Sequence, residues 1–348
     1  MSPLADCDWS SIAHLLMGRT KPPTLASRSP TSPFQSGPVT DISFREPQPH
    51  DLFMVTQQTW FITGSSRGFG RSLATAALEA GDNVAATARR PEQLADLVER
   101  FGDRVLPLAL DVTDAQASSE TLLAAQEKFG RVDVVVNNAG YANIAPVETA
   151  DEEDFRRQFE TNFWGVYNVS KAALPILRSQ GGGLIIQFSS VGGRVGGTPG
   201  LGSYQAAKFG IDGLTRVLAT ETAPFGIRYL VVEPGGFATD WAGASMDVHG
   251  IPEEYETTVA AFAERLRGTD QAGDPDRAAD ILVRVAKQES VPSHLVIGGY
   301  AANLAIEYSK AQIEEATRWQ AVSASADFEA DSVQLPTENA NQIRSEGR

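Results

Sequence analysis

The sequence predicts an α/β fold, in which a doubly wound, seven-stranded parallel sheet forms a single domain over residues 56–330. From Thr56 onward, apolar runs of four to seven residues alternate with helical patterns, as expected when helices cross back over a parallel sheet. The first apolar run, residues 60–62, leads into a glycine-rich turn, residues 63–70, and then into an amphipathic pattern. This order predicts a β-strand, a turn and a helix that together begin a βαβ unit.

The glycine-rich turn reads TGSSRGFG, and its residue types suit the binding of a diphosphate. Gly64 lets the chain leave the strand sharply, Gly68 lets backbone N–H groups approach a ligand, and Gly70 lets the next helix pack on the sheet. That helix starts near Phe69 and directs its positive end at the phosphates. Ser66 and Arg67 lie in the same turn. We therefore expect a Rossmann-like nucleotide site here.

The remaining elements follow the same alternation along the chain. Thr113 with Gln116 and Thr149 with Glu152 form Thr-x-x-Gln/Glu patterns that predict helix starts as capping boxes, and Pro91 suits a first helical turn. The seven predicted strands are Trp60 to Thr63, Asn83 to Thr87, Val105 to Leu110, Val132 to Val136, Leu184 to Phe188, Arg228 to Glu233 and His294 to Ile297.

The two ends of the chain differ in composition from this domain. Residues 1–55 are rich in proline, serine and threonine without sustained periodicity, so they are predicted to form a disordered extension. Met54 lies just before the first strand, so a misplaced start is an equal alternative, whereas acidic residues argue against a targeting signal. The polar residues 331–348 are predicted to be a flexible tail.

Charge and composition exclude several classes of partner. The formal net charge is −15, which argues against nucleic acid and anionic membranes as partners. Cys7 is the only cysteine and the four histidines are scattered, so we expect no disulfide and no metal site. No apolar run reaches the roughly 18 residues of a membrane span. These features suit a cytoplasmic protein.

Polar or glycine-rich segments follow four of the predicted strands, where ligands bind to a parallel sheet. Any one of them alone could be a turn or a helix cap, but together they would line one edge. The segments are Asp111-Val112, Asn137-Asn138-Ala139-Gly140, Ser189-Ser190 and residues 234–239 (PGGFAT).

A candidate acid/base pair is Tyr204 with Lys208, which lie four apart and so on one face of a helix. Tyr167 and Lys171 repeat this spacing, so spacing alone does not choose between the two pairs. The glycine-rich loop between Ser190 and Tyr204 could return the helix that carries Tyr204 to the strand edge. Tyr167 lies inside an amphipathic pattern that predicts a surface or interface position.

These motifs, in this order over residues 56–239, resemble the short-chain dehydrogenase/reductase family in its non-extended branch. The resemblance implies a catalytic tetrad of Asn162, Ser190, Tyr204 and Lys208, with Thr239 at the nicotinamide carboxamide. It implies Asp111 near the adenine and Asn138 near the adenosine ribose. The cofactor contacts that it implies are Gly64, Ser66, Arg67, Gly68, Phe69, Gly70, Arg89, Asp111, Val112, Asn138, Ala139, Gly140, Tyr204, Lys208, Pro234, Gly235, Phe237 and Thr239.

The resemblance implies an oxidoreductase that interconverts a carbonyl and an alcohol by hydride transfer, with Tyr204 as acid/base. The Lys208 ammonium would lower the pKa of the phenol from about 10 toward neutrality and would bind the nicotinamide ribose. Ser190 would donate a hydrogen bond to the substrate oxygen, and Asn162 would hold a water linking Lys208 to solvent. Two alternatives are a nucleotide-sensing regulatory protein, which needs no acid/base pair, and a nucleotide-sugar epimerase, whose glycine pattern is absent.

Residues 86–90 (ATARR) predict the cofactor, because NAD-dependent enzymes commonly place a carboxylate at the end of the second strand. No carboxylate is present there, and Arg89, with Arg67, could pair with a 2′-phosphate. The sequence therefore predicts NADP(H), with NAD(H) as the alternative if both arginines are only solvated surface charges.

The segment after Thr239 predicts the substrate site. Its apolar residues, among them Trp241, Met246, Tyr255 and Phe262, could form a lid that favours an apolar small-molecule carbonyl or alcohol. They could equally be core or dimer contacts. The resemblance also implies a homodimer or homotetramer, formed through the helices that carry Asn162 and Tyr204.

Overall fold

The structure, a computed structural model, describes residues 57–239, 241, 246–267 and 271–327. The predicted extension, 1–55, and the predicted tail, 331–348, lie outside the described residues. Seven parallel strands form one sheet in the order β3-β2-β1-β4-β5-β6-β7. The strands are β1 (Thr59–Ile62), β2 (Asn83–Ala88), β3 (Val105–Ala109), β4 (Val134–Asn137), β5 (Gly183–Phe188), β6 (Ile227–Pro234) and β7 (His294–Ile297).

All seven predicted strands are confirmed, with ends that differ by no more than two residues. The runs that form β1, β2, β4, β5 and β6 are buried on both faces, as central strands of a parallel sheet are, whereas the edge strands β3 and β7 are partly exposed. Across the described part of the chain, no helix is long and apolar enough to cross a membrane.

The helices cover both faces of the sheet. One π-helical turn, Glu160–Trp164, lies between the helices Glu152–Phe159 and Gly165–Ser179, and a second, Glu256–Ala260, directly precedes the helix Ala261–Arg267. The α-helices are α1 (Gly68–Glu79), α2 (Ala95–Phe101), α3 (Ala115–Phe129), α4 (Glu152–Phe159), α5 (Gly165–Ser179), α6 (Gly192–Val195), α7 (Gly202–Thr222), α8 (Ala261–Arg267), α9 (Pro275–Ala286) and α10 (Gly299–Ala324).

Both predicted capping boxes were wrong in the residue that caps the helix. Asp114, not Thr113, caps α3, since its Oδ1 accepts from the N–H groups of Gln116 and Ala117 at 2.8 and 2.9 Å. Asp151, not Thr149, caps α4. In both places an aspartate lies nearer the first turn, and a carboxylate also interacts favourably with the helix dipole. Pro91 begins a 3₁₀ turn, as predicted.

Two apolar cores lie on opposite faces of the sheet. On one face, α1 and α9 pack against strand residues such as Trp60 and Ile186. On the other, α3 and α5 pack against alternate strand residues such as Phe61 and Ile185. Successive strand residues therefore serve different cores, because side chains alternate across a strand. This arrangement confirms the doubly wound α/β fold.

The strand order reverses between β1 and β4, which are neighbours in the sheet. Ile62 is in register with Val136 of β4 on one side and with Ala86 of β2 on the other. The carboxyl ends of these strands are therefore level, and the chain leaves β1 and β4 in opposite directions. A crevice at such a switch point is where ligands bind in open α/β sheets.

Candidate functional site

The glycine-rich turn after β1 is tied to the end of β4. Thr63 Oγ1 accepts hydrogen bonds from the backbone N–H groups of Asn138 and Ala139, at 2.9 and 3.0 Å. Asn138 Nδ2 donates to the carbonyl of Thr63 at 2.9 Å and to that of Gly64 at 3.3 Å. Asn138 thus braces the turn, and the two strand ends at the switch point form one unit.

The turn fits a phosphate group. Gly64 has a φ of +69°, and a Cβ at Gly70 would lie 2.3 Å from the Gly64 carbonyl oxygen, so neither position accepts a larger residue without strain. The first turn of α1 carries no hydrogen bond from the side chain of its N-cap residue, Arg67. Its N–H groups and the positive end of its dipole are therefore free for an anion.

Phe69 contributes to the core rather than presenting its ring to the crevice. Its ring centroid lies 4.8 Å from that of Phe237 and 5.5 Å from that of Phe188. Its backbone N–H, in the first turn of α1, is the group that would contact a cofactor phosphate. Thr239 lies beside the turn, since a Cβ built on Gly68 would be 3.6 Å from Thr239 Cβ.

The predicted acid/base pair lies at the carboxyl end of β5. Tyr204 and Lys208, in the first two turns of α7, are 8% and 4% exposed. The hydroxyl groups of Tyr204 and Ser190 share a hydrogen bond. Lys208 Nζ donates to the carbonyl of Phe188 at 2.6 Å and lies 5.5 Å from the Tyr204 ring centroid. The structure thus brings three members of the predicted tetrad together.

Asn162, the fourth member, lies in the π-helical turn between α4 and α5. Its Nδ2 donates to the carbonyls of Tyr141 and Gln158, at 2.7 and 2.8 Å. Its Oδ1 is buried and has no hydrogen-bond partner among the described residues. A Cβ built on Gly140 would be 2.5 Å from this Oδ1 and 3.7 Å from Lys208 Nζ. Asn162 Oδ1 and Lys208 Nζ therefore both face the space beside Gly140.

Burial shifts the pKa values of both Tyr204 and Lys208. It raises the pKa of the Tyr204 phenol, which Lys208 was expected to lower. Desolvation raises the pKa of Tyr204 to about 12, although the hydrogen bond with Ser190 lowers it in part. Desolvation lowers the pKa of Lys208 to about 7. The expectation that Lys208 lowers the pKa of Tyr204 is thus wrong for the protein alone, because a buried site disfavours both charged forms.

The second Tyr-x-x-x-Lys pair lies on the outer side of α5. The Tyr167 ring packs edge-on against Trp164, with centroids 5.5 Å apart, and Lys171 Nζ lies 5.5 Å from the Tyr167 centroid. Trp164 is 43% exposed. The same residue types at the same spacing, in a half-exposed aromatic cluster, make this pair a matched control for Tyr204.

Arg67 and Arg89 lie at the open side of the crevice. Both are exposed, and within the described part of the chain neither forms a side-chain hydrogen bond or an ion pair. Arg89 and Asp111 both act electrostatically on the Tyr141 hydroxyl, whose pKa is raised, chiefly by burial. Asp111 Oδ1 accepts from the backbone and the hydroxyl of Thr113, which leaves its Oδ2 for a ligand.

The segment after β6 closes the other side of the crevice. The Gly235 N–H donates to the Ile297 carbonyl at 3.0 Å, and the Ala238 N–H donates to the Gly273 carbonyl at 2.8 Å. Pro234 is buried at the end of the strand. Thr239 is thereby held opposite the glycine-rich turn.

The predicted lid forms a third apolar core around Tyr204. Met246 and Val259 are buried in it together with Tyr204, and Phe262 packs against it. The ring centroids of Trp241 and Tyr204 are 5.3 Å apart. The apolar residues after Thr239 thus pack into a core and also line the space beside Tyr204. They make the surroundings of the Tyr204 hydroxyl apolar.

Two polar features of the site were not anticipated from the sequence. Arg194 Nε donates to Glu233 Oε2 at 2.7 Å, which links the Ser190 loop to β6. A buried network centred on Asp154 joins the loop after β4 to the lid. Its members are far apart in sequence and form no motif, so no local signal could have found them.

No group of three or more histidine, cysteine or acidic side chains is arranged to bind a metal ion in the described ranges.

The sequence profile of the family described as "short chain dehydrogenase" matches residues 58–248. An oxidoreductase of Botryotinia fuckeliana is 50% identical over 267 residues, which is 76% of this chain and 97% of that protein.

Two solved structures share this architecture. A short-chain dehydrogenase from Streptomyces avermitilis is 36% identical, with a TM-score of 0.73, and the match covers 78% of this chain and all of that one. An alcohol dehydrogenase from Thermococcus sibiricus, complexed with 5-hydroxy-NADP, is 29% identical with a TM-score of 0.57. That match covers 69% of this chain and 96% of the other.

Proposed function

The chain belongs to the short-chain dehydrogenase family and is an oxidoreductase, and we propose that it interconverts an apolar carbonyl compound and its alcohol with NADP(H). The observation that carries the proposal is the convergence of Ser190, Tyr204, Lys208 and the free Oδ1 of Asn162 beside an uncapped, glycine-rich helix start. A sensor that only bound the nucleotide would have no use for this acid/base arrangement.

The chain's own residues account for binding and proton transfer. The uncapped N–H groups at the start of α1 would hold the diphosphate, Lys208 a ribose, and Thr239 the nicotinamide carboxamide. When bound, NADP(H) supplies the hydride donor or acceptor and, in its oxidised form, a positive charge. Ser190 donates to the substrate oxygen, while the Tyr204 hydroxyl gives or takes the proton at that oxygen. Asn162 Oδ1 would accept from a water that serves Lys208.

The raised pKa of Tyr204 predicts different pH profiles for the two directions. Carbonyl reduction needs the neutral phenol, which a pKa of about 12 keeps protonated at every pH near neutrality. Alcohol oxidation needs the phenolate, whose fraction rises tenfold per pH unit below the pKa. We therefore expect Tyr204 to leave kcat/KM for reduction level from about pH 6 to 9 and to make that for oxidation rise, while loss of the Lys208 charge, whose pKa burial lowers to about 7, adds an inflection near that pH. Reduction that falls tenfold per unit across this range would contradict the prediction.

Arginine placement supports NADP(H) over NAD(H). Arg67 is exposed in the glycine-rich turn and Arg89 is exposed at the end of β2, and residues 86–90 include no carboxylate that could bind a ribose 2′-hydroxyl. Guanidinium groups bind phosphate with paired N–H donors. The solved alcohol dehydrogenase with 5-hydroxy-NADP agrees with this choice. The acidic composition and the single cysteine suit a cytoplasmic location.

Exposed apolar side chains on α7 and the π-helical turn support assembly into a homodimer or homotetramer. Trp164 and Phe209 are each 43% exposed, and Val217 is 53% exposed. Light scattering on the eluting protein should give two or four times the chain mass of 37.3 kDa. Phe209→Glu should shift that mass toward a single chain, because a charge in an apolar contact is costly. A single-chain mass for the unaltered protein would contradict this prediction.

A substrate panel tests the proposed function. The full chain is mixed with NADPH and with ethyl acetoacetate, 2-octanone, acetophenone or benzaldehyde, and the loss of NADPH absorbance is followed. Oxidation of NADPH that requires both the carbonyl compound and Tyr204 supports the proposal. Binding of NADPH without turnover on any carbonyl panel would favour the sensor instead.

A further inference from the structure

Asp154 is a buried carboxylate outside the reaction chemistry. It lies in the first turn of α4 and is 8% exposed. Asn143 Nδ2 donates to both of its oxygens, at 2.9 and 3.1 Å, and Gln158 Nε2 donates to Oδ2 at 2.9 Å. Burying a charge is costly unless several donors surround it. The position of this charge therefore requires an explanation.

One side of the network reaches the lid. Asn143 Oδ1 accepts from the Asp247 N–H at 3.0 Å. The Ile144 N–H donates to the Asp247 carbonyl at 2.9 Å, and the His249 N–H donates to the Ile144 carbonyl at 3.0 Å. We call residues 246–249 the anchor segment. It is paired with the loop after β4 like a short parallel strand, through Ile144 and Val248.

His249 places a side chain of the anchor segment next to the carboxylate. Its Nε2 lies 3.3 Å from Asp154 Oδ2 and has no hydrogen-bond partner among the described residues, while its side chain as a whole is 41% exposed. Arg157, which is 60% exposed, lies 3.4 Å from Asp154 Oδ1 on the outer side. The carboxylate thus accepts hydrogen bonds from the loop after β4 and from α4, and it lies beside an imidazole of the lid.

The other side of the network reaches the catalytic layer. Gln158 Oε1 accepts from the Asn143 N–H at 2.9 Å, and the Gln158 carbonyl accepts from Asn162 Nδ2 at 2.8 Å. Met246, at the start of the anchor segment, is buried in the core that contains Tyr204. The carboxylate therefore lies between the residue that would hold water for Lys208 and the wall over the reacting hydroxyl.

We propose that Asp154 is a positioning residue that anchors residues 246–249, through Asn143 and His249, and so sets the substrate wall over Tyr204. The role of the wall in substrate binding rests on the proposed function. The anchoring of residues 246–249 does not rest on the proposed function, because the contacts of Asp154 and Asn143 lie within the protein. A carboxylate suits the role since it only accepts hydrogen bonds: it satisfies donors from the loop after β4 and from α4, and its negative charge faces the His249 imidazole of the lid.

The test compares Asp154→Asn with Glu153→Gln. The first change keeps the shape but turns one acceptor into a donor, facing the amide groups of Asn143 and Gln158. The second change removes the charge of Glu153, the preceding residue, whose side chain is 87% exposed. Hydrogen exchange in peptides that contain the anchor segment should be at least about tenfold faster in the Asp154 variant and unchanged in the control. Exchange in β3 should be unchanged in both.

Kinetics separate positioning from general stability. With the best carbonyl compound of the panel, Asp154→Asn should raise KM for that compound at least about tenfold, with little change in KM for NADPH. Unchanged exchange in the anchor segment, equal acceleration throughout the chain, or unchanged KM for the carbonyl compound would each overturn the proposal. If no compound is turned over, the proposed function fails and exchange alone decides the anchor.

A second variant decides the matter if Asp154→Asn does not fold. His249→Gln alters a partly exposed side chain and replaces only the imidazole that lies beside the carboxylate. Exchange in the anchor segment should then rise at least about threefold. Exchange that stays at the level of the unaltered protein in this variant would refute the anchor.

Discussion

Tyr204→Phe is expected to lower kcat for carbonyl reduction at least about 100-fold, because general acid catalysis contributes factors of this size. The ring would keep its contacts with Trp241, so the fold and the NADPH site should survive. The measurement is kcat for the best compound of the panel, together with the Kd for NADPH from fluorescence titration. We expect the Kd to be unchanged.

Tyr167→Phe is the matched control for this variant. It removes the same hydroxyl from the second Tyr-x-x-x-Lys pair, which packs against Trp164 on the outside of α5. Its kcat should equal that of the unaltered enzyme. Equal losses in the two variants, or no loss in Tyr204→Phe, would remove Tyr204 from the mechanism.

Arg89→Glu should reverse the preference for NADPH. Hydrogen bonds to a charged group contribute about 1.5–3 kcal/mol, and the new carboxylate would also repel the 2′-phosphate. We therefore expect kcat/KM for NADPH to fall at least about 100-fold, while kcat/KM for NADH changes little. Steady-state kinetics with each nucleotide measures the ratio.

Arg90→Glu controls for the change in net charge. Arg90 is the next residue, is also exposed, and directly precedes the 3₁₀ turn that begins at Pro91. It should affect NADPH much less than Arg89, because only a guanidinium within contact distance of the phosphate gives a strong pair. Equal losses for NADPH and NADH in Arg89→Glu would mean that Arg89 is only a surface charge.

The fold was predictable from local patterns. The apolar runs of the central strands are continuous and buried on both faces, so their lengths could be read directly, and the partly buried edge strands β3 and β7 keep short runs of the same kind. The caps of α3 and α4 were less certain, because an aspartate and a threonine compete for the same N–H groups. Asp114 and Asp151 cap the two helices because they lie closer to the first turn than the threonines do.

The environment of the site was not predictable to the same degree. The residues of the tetrad were recognisable by their motifs, but the pKa of Tyr204 depends on how deeply Trp241 and the lid bury it. Burial of that kind arises from contacts between distant segments. The Asp154 network depends on residues 143, 158, 247 and 249 in the same way, and no spacing in the sequence indicates that they meet.

The central claim is that a pyridine dinucleotide binds in the crevice between β1 and β4, with its reactive ring near Tyr204. Isothermal titration of NADPH into the full chain tests this most directly. We expect one nucleotide per chain and a Kd on the order of 1–100 μM, in the range of ordinary enzyme KM values. A titration that shows no binding of either NADPH or NADH would contradict the account.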